Sequence, residues 1–162
     1  MNIKLKKNYL YYLNYKIKCS IGKKGITKNK QEGDLKTPSG KFKLIKILYR
    51  KDKIKLFQTT LKKISINKNM GWCDDVRSIH YNKLIKFPFK YSAEKLWRKD
   101  NIYDLVIILD YNLNPVKKNK GSAIFLHICK KKYEPTKGCI AVKKKDIINL
   151  IKNIKKNSKL II

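Results

Sequence analysis

Ile102-Tyr103-Asp104-Leu105-Val106-Ile107-Ile108-Leu109-Asp110-Tyr111 is apolar without a break from Leu105 to Leu109, and Ala123-Ile124-Phe125-Leu126-His127-Ile128 repeats the pattern after an intervening loop. A strand with one face in water alternates polar and apolar residues. These two do not, so they are expected to lie side by side with both faces covered. Working outward, residues 42–49 read as a further largely apolar strand, entered from the turn-rich segment Glu32-Gly33-Asp34-Leu35-Lys36-Thr37-Pro38-Ser39-Gly40. Residues 9–18 and 19–21 read as short Tyr- and Ile-rich strands, ended by Gly22 and Gly25 in a plausible hairpin. Residues 70–75 and 80–82 follow neither a helical nor a strand period and read as loop, and residues 95–97 read as the start of a helical turn. One helix is expected, over 145–155, where Ile147, Ile148, Leu150, Ile151 and Ile154 form a single stripe and Asp146 sits near the positive N-terminal end. The expected class is mainly β with minor α.

The 162 residues suffice for one domain with a core that needs no disulfide staples, and residues 1–162 are read as a single domain. Cys19, Cys73, Cys129 and Cys139 include no CxxC pair and read mostly as plain thiols. The formal charge of +30 would ordinarily point to a polyanion. However, the cations are nearly all Lys spread along the chain, and Arg occurs only at Arg50, Arg77 and Arg98. Phosphate and base readers favour the guanidinium fork, so a compositional bias toward Lys, Ile and Asn accounts for the charge at least as well, and no specific nucleic-acid partner is expected. No apolar run is long enough to span a bilayer. Residues 1–18 lack a continuous apolar core or a small-residue cleavage site, and so give no export signal.

The chemistry concentrates late in the chain. An apolar run delivers His127, and Pro135-Thr136-Lys137-Gly138 delivers Cys139. A thiol attacks carbonyls as thiolate, and a neighbouring imidazole is the commonest means of making one near neutral pH. Cys139 is therefore the candidate nucleophile, with His127 as its base and later the acid toward the leaving amine. Gly138 permits close backbone approach, so N–H groups around Gly138 and Cys139 are candidates for an oxyanion hole, typically worth roughly 3 kcal/mol per donor.

In order, Glu32-Gly33-Asp34, Thr37-Pro38-x-Gly40-x-Phe42, Gly71-Trp72-Cys73-Asp74-Asp75, Tyr81-Asn82, Leu96-Trp97, Tyr103-Asp104-Leu105, Gly121 through His127, and Thr136-x-Gly138-Cys139 resemble the L,D-transpeptidase catalytic domain (YkuD-like family), most of all its short stand-alone branch. The resemblance implies an L,D-transpeptidase-like β-sandwich with the C-terminal helix packed on it. It also implies a cysteine acyltransferase acting on peptidoglycan stem peptides without a cofactor, susceptible to carbapenems and placed in the periplasm or cell envelope. A monomer is expected. The block Thr136-Lys137-Gly138-Cys139-Ile140-Ala141 lacks the second His and the Arg of the broad family pattern. That leaves the partner of the substrate carboxylate open among Lys137, Lys143 and Arg77, and the group that orients His127 open as well.

The candidate substrate-binding residues are Thr136, Trp72, Asp74, Tyr81 and Lys137. Thr136 would orient the imidazole or line the pocket, and Trp72 would be half core and half pocket wall. Asp74 and Asp75 would cap a turn or meet a cationic substrate group, the turn being favoured. His127, Cys129, Cys73 and His80 could be imagined as a zinc site, but their spacing fits no recurrent ligand pattern, so no metal is expected. The rival to catalysis is an inactive polyanion- or cell-wall-binding protein on the same scaffold, which has no need of the His127 and Cys139 pair.

Overall fold

The computed structural model describes residues 2–55 and 58–162. In chain order its strands are β1 (Asn2–Lys6), β2 (Tyr9–Tyr12), β3 (Tyr15–Ser20), β4 (Ile26–Thr27), β5 (Thr37–Pro38), β6 (Lys41–Tyr49), β7 (Lys62–Ser65), β8 (Met70–Cys73), β9 (Leu84–Lys86), β10 (Ala93–Lys95), β11 (Leu105–Leu109), β12 (Phe125–Ile128), β13 (Ile140–Val142) and β14 (Lys159–Ile161), with helix α1 (Lys144–Asn153) between the last two. The expected strands over 42–49, 102–111 and 123–128 are present as β6, β11 and β12, and β11 and β12 are antiparallel neighbours. The helix also falls where its apolar stripe places it.

The expected sandwich is replaced by a barrel-like sheet. Nine strands run in the order β11-β12-β13-β3-β2-β1-β14-β6-β7, and β6 also pairs with β11. The reason lies in two shared strands. β3 pairs with β2 through Tyr15 to Lys18 and with β13 through Cys19 and Ser20, while β6 pairs with β14 through Lys41 to Lys43 and with β11 through Leu44 to Tyr49. Each passes from one layer into the other and joins them, which removes sheet edges that a sandwich leaves open. The hairpin anticipated at Gly22 and Gly25 lies earlier, between β2 and β3, where Leu13 takes a positive φ.

Register explains the unbroken apolar runs. Leu105, Ile107, Leu109, Leu126, Ile128, Ile140 and Val142 face one core, shared with Ile3, Leu10 and Ile17 and with Ile147, Leu150, Ile151 and Ile154 at the C-terminal helix. The alternate residues Val106, Ile108, Ala123 and Phe125 face a second core built with Leu48, Trp72, Leu96 and Tyr103. Full burial of one such aliphatic side chain contributes roughly 1.5–3 kcal/mol, so covering both faces of the sheet favours this register strongly over a one-residue slip.

The second core also corrects two local expectations. Residues 70–73 are strand β8, not loop, with all four residues buried between β9 and β10. The anticipated helical turn near 95–97 is instead the end of strand β10, followed by the buried Leu96. Both segments are too short and too irregular in polarity to show a period; Met70 and Trp72 of the three-stranded sheet β10-β8-β9 pack in the second core with Val106, Ile108 and Phe125 of β11 and β12.

Candidate active site

β12 and β13 are parallel, with Leu126 opposite Ile140 and His127 opposite Ala141. Cys139 is therefore level with Phe125, two residues along the strand from His127, and alternation turns His127, Cys139 and Ala141 to the same side. All three line an open cleft of about 450 Å³. The two residues separated in sequence by a basic loop are thus brought together by one parallel pairing.

His127 is buried at the cleft wall, with the Tyr103 ring edge-on at 5.2 Å between centroids. Its Nδ1 lies 2.9 Å from the Ile128 carbonyl. A carbonyl only accepts, so Nδ1 carries the proton and Nε2 keeps its lone pair. Desolvation lowers the imidazole pKa to about 4, outweighing the Ile128 carbonyl, so the ring is neutral at physiological pH. The residue that orients His127 is therefore its own sequence neighbour acting through its backbone, a partner that side-chain motifs do not reveal.

Cys139 Sγ donates to the Ala123 carbonyl at 3.0 Å and accepts from the Phe125 N–H at 3.4 Å. The thiol is partly exposed, and desolvation followed by the Glu94 charge pushes its pKa up to about 12. Among the described residues no hydrogen bond joins it to His127. The resting pair is a neutral thiol beside a neutral imidazole, not a preformed ion pair.

The turn before Cys139 is braced by Thr136. Its hydroxyl donates to the Cys139 carbonyl at 2.6 Å and accepts from the Gly138 N–H at 3.1 Å, while its N–H bonds Ile21. Thr136 lines the cleft and shapes the turn before Cys139, and among the described residues it makes no hydrogen bond to the imidazole. Because Gly138 N–H is already engaged, the Cys139 N–H is the main-chain donor next to the sulfur that has no partner among the described residues. Gly138 itself has φ +142°, and a Cβ there would meet the Lys36 carbonyl at 2.9 Å. Gly138→Ala is expected to cost about 1–3 kcal/mol of stability, with a matching fall in activity as the turn shifts. Thermal denaturation and turnover measured together check this.

Sequence reading missed three of the cleft's charged residues. Lys30 is buried, pairs with Asp34 and donates to the Gln31 carbonyl at 2.9 Å, and its charge lowers the Cys139 pKa against the larger burial effect. Nothing distinguishes it in a sequence with this many lysines. Glu94 accepts from the Tyr103 hydroxyl at 2.8 Å, and desolvation raises its pKa. Arg98 forms the rim and pairs with Asp100 at 2.6 Å. The acids offered a better signal: only 11 Asp and Glu occur, so each carboxylate in so basic a chain is worth placing.

Asp74 and Lys137 line the cleft. Among the described residues Asp74 Oδ1 is buried without a hydrogen-bond partner, whereas Asp75 caps its turn by accepting from the Arg77 N–H and guanidinium and from the Ser92 N–H. The Arg77 hydrogen bonds hold the Asp75 carboxyl well below its ordinary pKa. Trp72 is not a cleft wall. It is buried in the second core, edge-on to Phe125, with Nε1 donating to Asn82. Tyr81 is likewise buried and does not itself line the cleft, and its hydroxyl donates to the cleft-lining Glu32. His80 meets Phe89 edge-on, and among the described residues no three His, Cys, Asp or Glu side chains converge to hold a metal ion.

A family model described as the L,D-transpeptidase catalytic domain (YkuD) matches residues 3–162. No curated protein matches the chain.

Proposed function

We propose, for a chain that belongs to the L,D-transpeptidase catalytic domain family, that Cys139 and His127 carry out acyl transfer on peptidoglycan stem peptides through a thioester. The observation that carries this reading is the shared cleft, with Nε2 of His127 left as a base and the Cys139 sulfur at the cleft surface.

In the first half-reaction the S–H proton leaves the Ala123 carbonyl for His127 Nε2 as Sγ bonds to the donor carbonyl carbon. The Cys139 N–H and Lys30 are placed to offset the negative charge that develops around the reacting atoms. The carbon–nitrogen bond then breaks, and imidazolium protonates the departing amine. In the second half an amine attacks the thioester, gives its proton to His127, and the sulfur leaves and recovers that proton. Water in place of the amine would make the same site a carboxypeptidase. Proton transfer at the moment of attack suits the neutral resting pair, since neither group carries charge before substrate excludes water.

The cleft also holds both signs of charge, as a zwitterionic peptide requires: Asp74 and Glu94 supply the negative groups, and Lys30, Lys137 and Arg98 the positive ones. The family acts on peptidoglycan, so the site of action is the cell envelope. Among the described residues no helix is long and apolar enough to cross a membrane.

Incubation with a purified disaccharide tetrapeptide tests the reading. Release of the terminal D-amino acid, with an equal yield of cross-linked dimer or of tripeptide, is expected. A folded protein that releases none contradicts the assignment, and the ratio of dimer to tripeptide reports whether an amine or water completes the cycle.

A further inference from the structure

Tyr81-Asn82 belongs to the ordered set of residues described above, yet neither side chain lines the cleft. Asn82 is buried, and its carboxamide uses its full hydrogen-bonding capacity. Oδ1 accepts from Trp72 Nε1 at 2.9 Å and from the Ala123 N–H at 3.0 Å, while Nδ2 donates to the Asn112 carbonyl at 2.7 Å and the Tyr111 carbonyl at 3.4 Å. One side chain therefore ties β8, the exit of β11 and the entry to β12 together.

The residue it grips is unusual. Ala123 has φ +52°, a conformation that costs an L-residue on the order of 1–3 kcal/mol unless its surroundings hold it there. Its N–H is held by Asn82, and its carbonyl accepts the Cys139 S–H at 3.0 Å. Two hydrogen bonds on opposite sides of one residue thus connect a buried amide to the sulfur.

We propose that Asn82 is a positioning residue for the nucleophile: by fixing Ala123 it aims that residue's carbonyl at the Cys139 thiol, holding the proton in the resting state and setting the orientation from which it passes to His127. The assignment of Cys139 as the attacking atom rests on the function proposed above, but the hydrogen-bonded relay from Asn82 to the sulfur does not. The relay is therefore tested without substrate, through the pH dependence of Cys139 alkylation by iodoacetamide, resolved by peptide mass spectrometry. The other groups facing the sulfur from neighbouring elements are Glu94, Tyr103, His127 and Lys30, with Asp74 and Lys137 in the same cleft. All stay unaltered in the variants.

Asn82 has φ +56°, so Asn82→Gly removes the carboxamide without straining the backbone. A freed Ala123 carbonyl no longer stabilises the protonated thiol, while the Phe125 N–H still stabilises thiolate. The alkylation midpoint of Asn82→Gly is expected to fall by about one pH unit, and kcat on the acyl donor by about tenfold or more, with KM little changed. Asn82→Asp keeps an oxygen for Ala123 and adds negative charge, so its midpoint should stay at or above that of the native protein. Ile17→Val, in the barrel core, lowers the melting temperature without moving the midpoint. Should Asn82→Gly be insoluble, Asn82→Ser is read the same way. An unmoved midpoint in the glycine or serine variant, or an equal shift in Ile17→Val, overturns the assignment. A shifted midpoint in a protein with no acyl-transfer activity would retain the relay and reject only the function proposed above.

Discussion

Cys139→Ala should abolish acyl-enzyme formation and lower turnover by about 10⁴-fold or more, the scale expected when a covalent route is removed rather than slowed. The comparison that gives this result its meaning is Cys129→Ala, which should leave acylation in place. Cys129 also lines the cleft, just past the end of β12 and two residues beyond His127, so exposure to the cleft alone does not single out one sulfur. Three things separate them. Cys139 follows a glycine turn whose geometry Thr136 braces, its sulfur accepts the Phe125 N–H, and its own N–H is available to a developing oxyanion. Cys129 N–H is spent on the Val142 carbonyl. Cys19 and Cys73 are buried and have no access to a peptide. The kinetics of all four single variants, with folding checked by circular dichroism, decide which thiol acts.

Much of this was legible in the residues themselves. The two unbroken apolar runs required a sheet covered on both faces, and β11 and β12 are that sheet. The glycine before Cys139 and the His at the end of an apolar run marked two residues that line one cleft. What could not be read was closure, because it depends on β3 and β6 each pairing with different strands along their lengths, a long-range fact with no local signature. β8 was missed for a related reason: Met70-Gly71-Trp72-Cys73 is buried throughout, and four residues are too few to display a period. Trp72 is expected half in the core and half at the pocket wall because indole is rarely fully buried, and Tyr81 is expected at the site through the family resemblance. They serve instead as core and clamp, since their polar tips find partners in Asn82 and Glu32.

Replacing His127 by glutamine should reduce turnover by roughly 10²- to 10⁴-fold, the usual contribution of a positioned general base, with a smaller effect on substrate affinity. The pH profile carries more information than the magnitude. His127 must be neutral to take the thiol proton, and burial holds its pKa down to about 4. The acid limb of kcat/KM in the native protein is therefore expected near pH 4, below the ordinary imidazole range, with activity rising as pH climbs through it. A thiolate–imidazolium pair formed before substrate binds would instead titrate as an ion pair, with activity lost on the alkaline side as the imidazolium gives up its proton. In His127→Gln the acid limb should vanish, because the group responsible for it is gone. An Ile128 substitution should leave the limb in place, since the orienting contact is a backbone carbonyl that every residue supplies.

The central claim, that the sulfur of residue 139 forms the covalent intermediate, is tested most directly by trapping. The native protein is incubated with a carbapenem or a tetrapeptide donor, quenched in acid and mapped by peptide mass spectrometry. The account predicts one acyl adduct, on the peptide carrying Cys139, absent from Cys139→Ala and retained in Cys129→Ala. An adduct on Cys129, or no adduct on a folded protein that still turns over its donor, would contradict it.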